Sequence, residues 1–269
     1  MKKLLTVLCA LLFIAGCSAA PSPSVSAEDR PARSGGNFTD QMKLAYRDDL
    51  DPEAGADSVE RQGDHPDSPY FSTVDFYNAE STASLTILPH FQTMQQTSEW
   101  SCGVVSALLV LNYYDQLGEQ TERTLAEMRS NGLTPEATDM ESMITIFEQT
   151  GGFKLESSLD YPADQSAEAF PLERFETLLK AGTPVMVAWN DWGGHWQVVI
   201  GYDTLGTETT QDDVLIVADP YDTTDHNQDG YTVYGAERFY YNWTMYDFFS
   251  KNYGIAERDK LFIAAEPKA

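Results

Sequence analysis

Three residue types that can do chemistry together stand at Cys102, His195 and Asp219. Cys102 sits in Gln96-Thr97-Ser98-Glu99-Trp100-Ser101-Cys102-Gly103, where a polar loop gives way to an apolar helical run. A thiol at a helix start faces unpaired backbone N–H groups and the positive end of the dipole. Both favour the thiolate, which is the attacking species in thiol chemistry. His195 opens Gly193-Gly194-His195-Trp196-Gln197-Val198-Val199-Ile200-Gly201-Tyr202, whose glycines let the chain turn sharply into a strand. An imidazole there could take the thiol proton and later hand it to a leaving group. Asp219 ends the apolar run Val214-Leu215-Ile216-Val217-Ala218 and precedes Pro220. Two antiparallel strands joined by the 203–213 loop would set its carboxylate beside His195, where it could fix the imidazole tautomer. Singly, each residue has a bland reading: a small core cysteine, a packed histidine, an Asp-Pro turn.

These strings resemble the papain-like cysteine peptidases, and among them the bacteriocin-leader-processing (double-glycine) branch and its secreted relatives. In that family a Gln six residues before the nucleophile donates its side-chain amide to the oxyanion hole. Gln96 stands six before Cys102, whereas Gln95 is one position off. The Cys102-Gly103 pair, the apolar run after His195 and the strand ending in Asp219-Pro220 also fit the family pattern. The resemblance covers residues 84–220 and is weak before Tyr70. It implies a papain-like α+β fold, in which an N-terminal helical layer carrying Cys102 packs on an antiparallel sheet carrying His195 and Asp219. The implied activity is cleavage of a peptide or amide bond in a peptide or protein substrate, with no cofactor required. Two other functions are open: an amide transferase or transpeptidase using the same nucleophile, and a non-catalytic surface lipoprotein binding calcium or a peptide on the same fold.

The N-terminus reads as an export signal. Lys2 and Lys3 precede an apolar stretch from Leu4 to Ile14, too short to span a bilayer as a helix. Ile14-Ala15-Gly16-Cys17 resembles the lipobox of bacterial lipoproteins, which implies a signal peptide over 1–16, lipidation of Cys17, and anchoring to a membrane on its outer side. Cys9 would leave with the signal, so Cys102 would be the one free thiol and no internal disulfide would form. Residues 17–69 read as a Ser/Ala/Pro-rich tether and a loosely structured acidic extension, with a short helix near Thr39 to Arg47. The folded domain is expected over 70–269. Forty-two acidic residues against 17 basic ones give a formal charge of −25, which argues against a nucleic-acid partner.

Periodicity supplies the elements that must position these groups. A strand is expected over 85–88 and helices over 102–117, 140–149 and 171–179. Strands follow over 184–189, 195–202, 214–218, 231–234 and 261–265. Thr138 or Asp139 would cap the second helix, and Thr138 with Glu141 has capping-box spacing. Asp225-His226-Asn227-Gln228-Asp229-Gly230 matches the opening half of an EF-hand loop, so Asp225, Asn227 and Asp229 could hold a structural calcium. Position twelve of that loop is Ala236, with Glu237 one residue late, and Asp222 and Glu237 could add oxygens instead. Trp100, Trp189, Trp192 and Trp196 flank the candidate residues and divide between core and cleft. His90 is expected in an exposed loop and His65 in the extension.

Overall fold

The computed structural model describes residues 41–45, 47–51, 53–58, 74–162, 166–224, 228–243 and 259–268. The chain divides into two units, Met1–Arg33 and Ser34–Ala269. The first, which includes Cys17, lies outside the described residues. The elements of the second run β1 Leu85–Ile87, α1 Cys102–Tyr113, α2 Glu122–Glu127, α3 Met140–Thr150, β2 Phe153–Ser157, α4 Ser166–Ala169 and α5 Glu173–Lys180. They continue with β3 Val185–Trp189, β4 His195–Asp203, β5 Val214–Ala218, β6 Tyr231–Gly235, α6 Ala236–Asn242 and β7 Leu261–Pro267. The strands form one sheet in the order β2-β7-β3-β4-β5-β6, with β1 added to β4, and every pairing is antiparallel. Helices come first and the sheet follows, so the two layers segregate as an α+β fold.

Helix α1 runs between the layers. Every residue from Cys102 to Leu111 is buried, the condition of a helix that is apolar on all sides. Close approach is possible because of Gly103. A Cβ there would come within 2.8 Å of Thr138 Cβ and 3.0 Å of Trp196 Cδ1. The helix ends at Tyr113, four residues before the expected 117. Asp115 takes a left-handed φ of 54°, and the Gln116 N–H bonds the Leu111 carbonyl at 2.9 Å. The chain thus turns before Gly118, which sits in the next turn.

Asp139 is the cap of α3, its Oδ1 accepting from the Ser142 N–H at 2.7 Å. The spacing of Thr138 and Glu141 does not produce a capping box. Thr138 is committed elsewhere: its carbonyl accepts from Trp196 Nε1 at 2.7 Å, and its hydroxyl accepts from Arg129. The strands lie within two residues of their expected ends. Four elements carry no readable signal. Helix α2 buries only Glu122, Leu125 and Ala126, β2 is a short edge strand, α4 is a single short turn of helix, and α6 continues from β6 through Gly235 without a break.

The expected helix near Thr39 to Arg47 is corrected: among the described residues, Gln41 and Met42 form a turn and Lys43 bridges Thr93. Thr93 N–H bonds the Met42 carbonyl at 2.9 Å, and Leu44 N–H bonds the Thr93 carbonyl at 2.8 Å. Further on, Leu50 N–H donates to Thr97 Oγ1, Gly55 N–H to Glu99 Oε1, and Asp57 N–H to the Gln96 carbonyl. The backbone groups of this acidic segment find partners in the 93–99 loop rather than four residues away in a helix. Met42 and Ala56 are buried there.

Gly103→Ala is expected to destabilise the protein by about 1–3 kcal/mol through overpacking against Thr138 and Trp196. Urea unfolding followed by tryptophan fluorescence measures it, and an unchanged midpoint would contradict the close packing of α1 on α3 and β4.

Candidate active site

Each of the three sequence-predicted groups stands at the end of an element. Cys102 is the first residue of α1, His195 the first of β4, and Asp219 follows the last residue of β5. The turn into β4 is tight: Gly194 N–H bonds the Asp191 carbonyl at 2.7 Å. Trp192, Gly193 and Gly194 all take positive φ, at 51°, 83° and 137°, a region that glycine enters freely and tryptophan does not. Strands β4 and β5 pair with Val198 opposite Ala218, which sets Asp219 across from Gln197, two residues after His195 and on the same face of the strand. His195 Nε2 and Asp219 Oδ1 are 2.6 Å apart, with side chains only 4% and 6% exposed. Cys102 is itself buried, and it lies near enough to the imidazole to raise its pKa. Nε2 is taken by Asp219, which leaves Nδ1 as the other ring nitrogen.

Burial works against charge on both partners, and their mutual attraction outweighs it. For His195, burial pulls the pKa down, but the Asp219 charge and the hydrogen bonds to Asp219 and Cys102 leave it above the ordinary histidine value. For Asp219, burial pushes upward, but His195, the Tyr221 N–H and Gln197 hold it below the ordinary carboxylate value. The signs fix a pH window by linkage. The histidine part of the stabilisation is complete below the ordinary histidine value and fades as pH rises through the raised one. The aspartate part is complete above the ordinary carboxylate value and is lost as pH falls through the lowered one.

The carboxylate is further held on both oxygens. Oδ1 accepts from the Tyr221 N–H at 2.8 Å, and Oδ2 accepts from Gln197 Nε2 at 2.7 Å. Gln197 Nε2 also donates to the Tyr234 hydroxyl at 2.9 Å, and Oε1 accepts from Trp189 Nε1 at 2.8 Å. The Tyr221 ring meets the imidazole edge-on at 6.5 Å, and Trp192 packs on Tyr221 at 5.8 Å. Of the four flanking tryptophans, Trp192 is the outer wall, 62% exposed. Trp196 is core, Trp189 is half-buried against Gln197, and Trp100 lies under the Arg129 guanidinium at 4.2 Å.

Gln96 is buried, and its backbone N–H bonds the Pro220 carbonyl at 2.9 Å, which ties its loop to the residue after Asp219. One side-chain N–H goes to the Ser98 carbonyl at 2.7 Å, and Oε1 is buried with no hydrogen-bond partner among the described residues. Gln95 points elsewhere, to the Asp222 carbonyl.

Asp225 and Asn227 lie outside the described residues, as does His65. Asp229 Oδ1 accepts from the Tyr231 N–H at 2.9 Å and Asp222 Oδ2 from the Gly230 N–H at 2.8 Å, both local turn bonds. Glu237 accepts from the Thr210 hydroxyl. Among the described residues no group of three or more His, Cys, Asp or Glu side chains is placed to hold a metal ion. His90 is exposed, its Nδ1 bonded to the Tyr77 carbonyl.

Gln197, Tyr221 and Tyr234 were not singled out from sequence. Gln197 had a signal, being a polar residue two positions after His195 on the same face of an otherwise apolar strand. Tyr221 and Tyr234 had none, since aromatics are common in this chain.

The fold is thus papain-like α+β, with the candidate nucleophile on the central helix and its partners on the sheet. Residues 88–250 match the Peptidase_C39 like family, and the chain belongs to that family. Among solved structures it is similar to the peptidase domain of Streptococcus ComA, a bifunctional ABC transporter involved in a quorum-sensing pathway. The identity is 18%, the TM-score 0.41, and the match covers 66% of this chain and 100% of that one. It is also similar to a double glycine motif protease from an AMS/PCAT transporter, solved with the leader peptide. There the identity is 16%, the TM-score 0.38, and the coverage 70% and 96%. No curated protein matches the chain.

Proton NMR of the imidazole is expected to show His195 staying protonated at a pH where an ordinary histidine has lost its proton. Asp219→Asn should bring its titration down, and a wild-type midpoint at the ordinary value would contradict the buried pair. Gln197→Leu, which strips Asp219 Oδ2 of its side-chain donor and Trp189 of its acceptor, should cost about 1–3 kcal/mol in urea unfolding.

Proposed function

We propose that the protein is a thiol hydrolase that cleaves peptide bonds with Cys102 as nucleophile, His195 as base and then acid, and Asp219 as the group that orients the imidazole. The sulfur attacks the carbonyl carbon, and the amine leaves with the proton held by His195, giving a thioester on Cys102. Water then adds as His195 takes its proton. The acid is released and the thiol restored. The Gln96 amide and the Cys102 backbone N–H donate to the oxyanion of each tetrahedral intermediate, a contribution of a few kcal/mol per donor. No step requires a cofactor. Trp192 and Tyr221 form an aromatic wall beside His195 against which an extended peptide can lie.

The observation that carries this reading is the 2.6 Å contact between buried His195 and Asp219, on an imidazole whose pKa is raised in part by nearby Cys102, the only cysteine among the described residues. A structural role alone would not call for a thiol beside that pair. The lipobox-like Ile14-Ala15-Gly16-Cys17 adds the setting: export, lipidation of Cys17, and a peptidase held on the outer side of a membrane. Its substrates are then peptides or proteins met outside the cytosol.

Cys102→Ala is expected to abolish cleavage across a fluorogenic peptide library while leaving the melting temperature nearly unchanged, because the side chain is small. Iodoacetamide should alkylate Cys102 rapidly at mildly acidic pH; a rate equal to that of a free thiol would leave only a binding protein on this fold. Lipidation is read by mass spectrometry of the N-terminal peptide, and Cys17→Ser should release the protein from the membrane fraction.

A further inference from the structure

Glu122 is the first residue of α2 and is 1% exposed. Its own helix does not use its side chain, because the α2 cap is the reciprocal pair Thr121 and Thr124. The carboxylate is turned instead to the loop before α1. Oε1 accepts from the Thr97 N–H at 3.1 Å, and Oε2 accepts from the Thr97 hydroxyl at 2.7 Å. Thr97 Oγ1 accepts from the Leu50 N–H at 2.9 Å, so its own hydrogen goes to Glu122. The Thr97 N–H and hydroxyl both donate, and an ionised carboxylate is the side chain that only accepts.

Among the described residues no basic side chain forms an ion pair with Glu122. Burial pushes its pKa up, the Asp57 carboxylate adds to that, and the Ser101 and Thr97 hydrogen bonds pull it back. A buried carboxylate without a cation is a costly way to brace a loop if bracing is its whole task. What it holds explains the arrangement. Thr97 follows Gln96, and the Gln96 amide itself bonds the Ser98 carbonyl within the same loop. The proposed oxyanion donor and nucleophile are the two ends of one short loop, and the carboxylate ties that loop next to its Gln96 end. Oxyanion donors lose most of their effect when displaced by a fraction of an ångström to an ångström.

We infer that Glu122 is a positioning residue that keeps the Gln96 amide in register with Cys102 by holding the Thr97 N–H and hydroxyl on one buried carboxylate. This rests on the roles proposed above for Cys102 and Gln96. Glu122 touches no reacting atom, so its effect falls on the stabilisation of the tetrahedral intermediate and not on the reactivity of the sulfur.

The test compares Glu122→Gln with wild type and Cys102→Ala in the full chain. The glutamine is nearly the same size but sets an amide donor against donors. With a fluorogenic peptide amide chosen by library screening of the wild type, kcat should fall about tenfold or more and KM should change by less than about twofold. The rate of Cys102 alkylation by iodoacetamide, which forms no oxyanion, should stay within about twofold of wild type. Wild-type kcat in a folded Glu122→Gln overturns the inference, as does a parallel loss of turnover and alkylation. Should that variant fail to fold, Thr97→Val removes the hydroxyl that donates to Glu122. It should lower kcat by about threefold with alkylation preserved, and an unchanged kcat then overturns the inference. The proposed function fails separately, if Cys102→Ala keeps turnover or if the wild type neither cleaves the library nor alkylates rapidly. An inactive Cys102→Ala beside a fully active Glu122→Gln removes only the role of Glu122.

Discussion

Two ionisable side chains, His195 and Asp219, are removed from water and must stay paired. Losing one partner of such a pair typically costs about 3–5 kcal/mol, because the other is left charged and buried. The rest of the site follows from keeping that contact. The β4–β5 register sets Asp219 across from Gln197, two residues after His195. Gln197 and the Tyr221 N–H satisfy the remaining acceptor positions of Asp219, and Trp189 and Tyr234 in turn hold Gln197. The left-handed turn at Trp192-Gly193-Gly194 delivers the imidazole at the strand start with its Nε2 on Asp219.

The opposite side of the site is organised by different physics. The 93–101 loop has no regular structure of its own, so its backbone groups and hydroxyls need partners from elsewhere. It finds them on three sides: the 41–57 segment, Glu122 of α2, and the Pro220 carbonyl just after Asp219. The last of these links the two halves. The Gln96 N–H bonds the Pro220 carbonyl, one residue past Asp219, so the loop is joined to the end of β5. A site assembled from a helix start, a strand start and a loop is therefore braced by a bond that spans more than a hundred residues.

Much of this was legible beforehand, and the reasons differ by residue. Cys102, His195 and Asp219 each stand at a transition in hydrophobic pattern, where a polar group at an element end is conspicuous against an apolar run. The strands β3, β4 and β5 are buried continuous apolar runs, which periodicity locates to within two residues. Helix α1 was placed correctly at its start and four residues too long at its end, because the apolar pattern continues past the point where Asp115 turns left-handed. Helix α2 was invisible: its six residues are mostly polar, and its most consequential side chain is a buried glutamate.

By itself, then, the sequence determined the α+β layering, the elements that carry the thiol, imidazole and carboxylate, and the family pattern that picks Gln96 over Gln95. These are local properties of composition and spacing, and they are written along the chain. Only the tertiary structure decided that the acidic 41–58 segment is laid along the loop before Cys102, that β7 enters the sheet between β2 and β3, and that Gln197 and Glu122 hold the site from behind. Those outcomes depend on which buried donors meet which acceptors across long stretches of chain. A polar residue read in sequence carries no mark of the partner that will satisfy it.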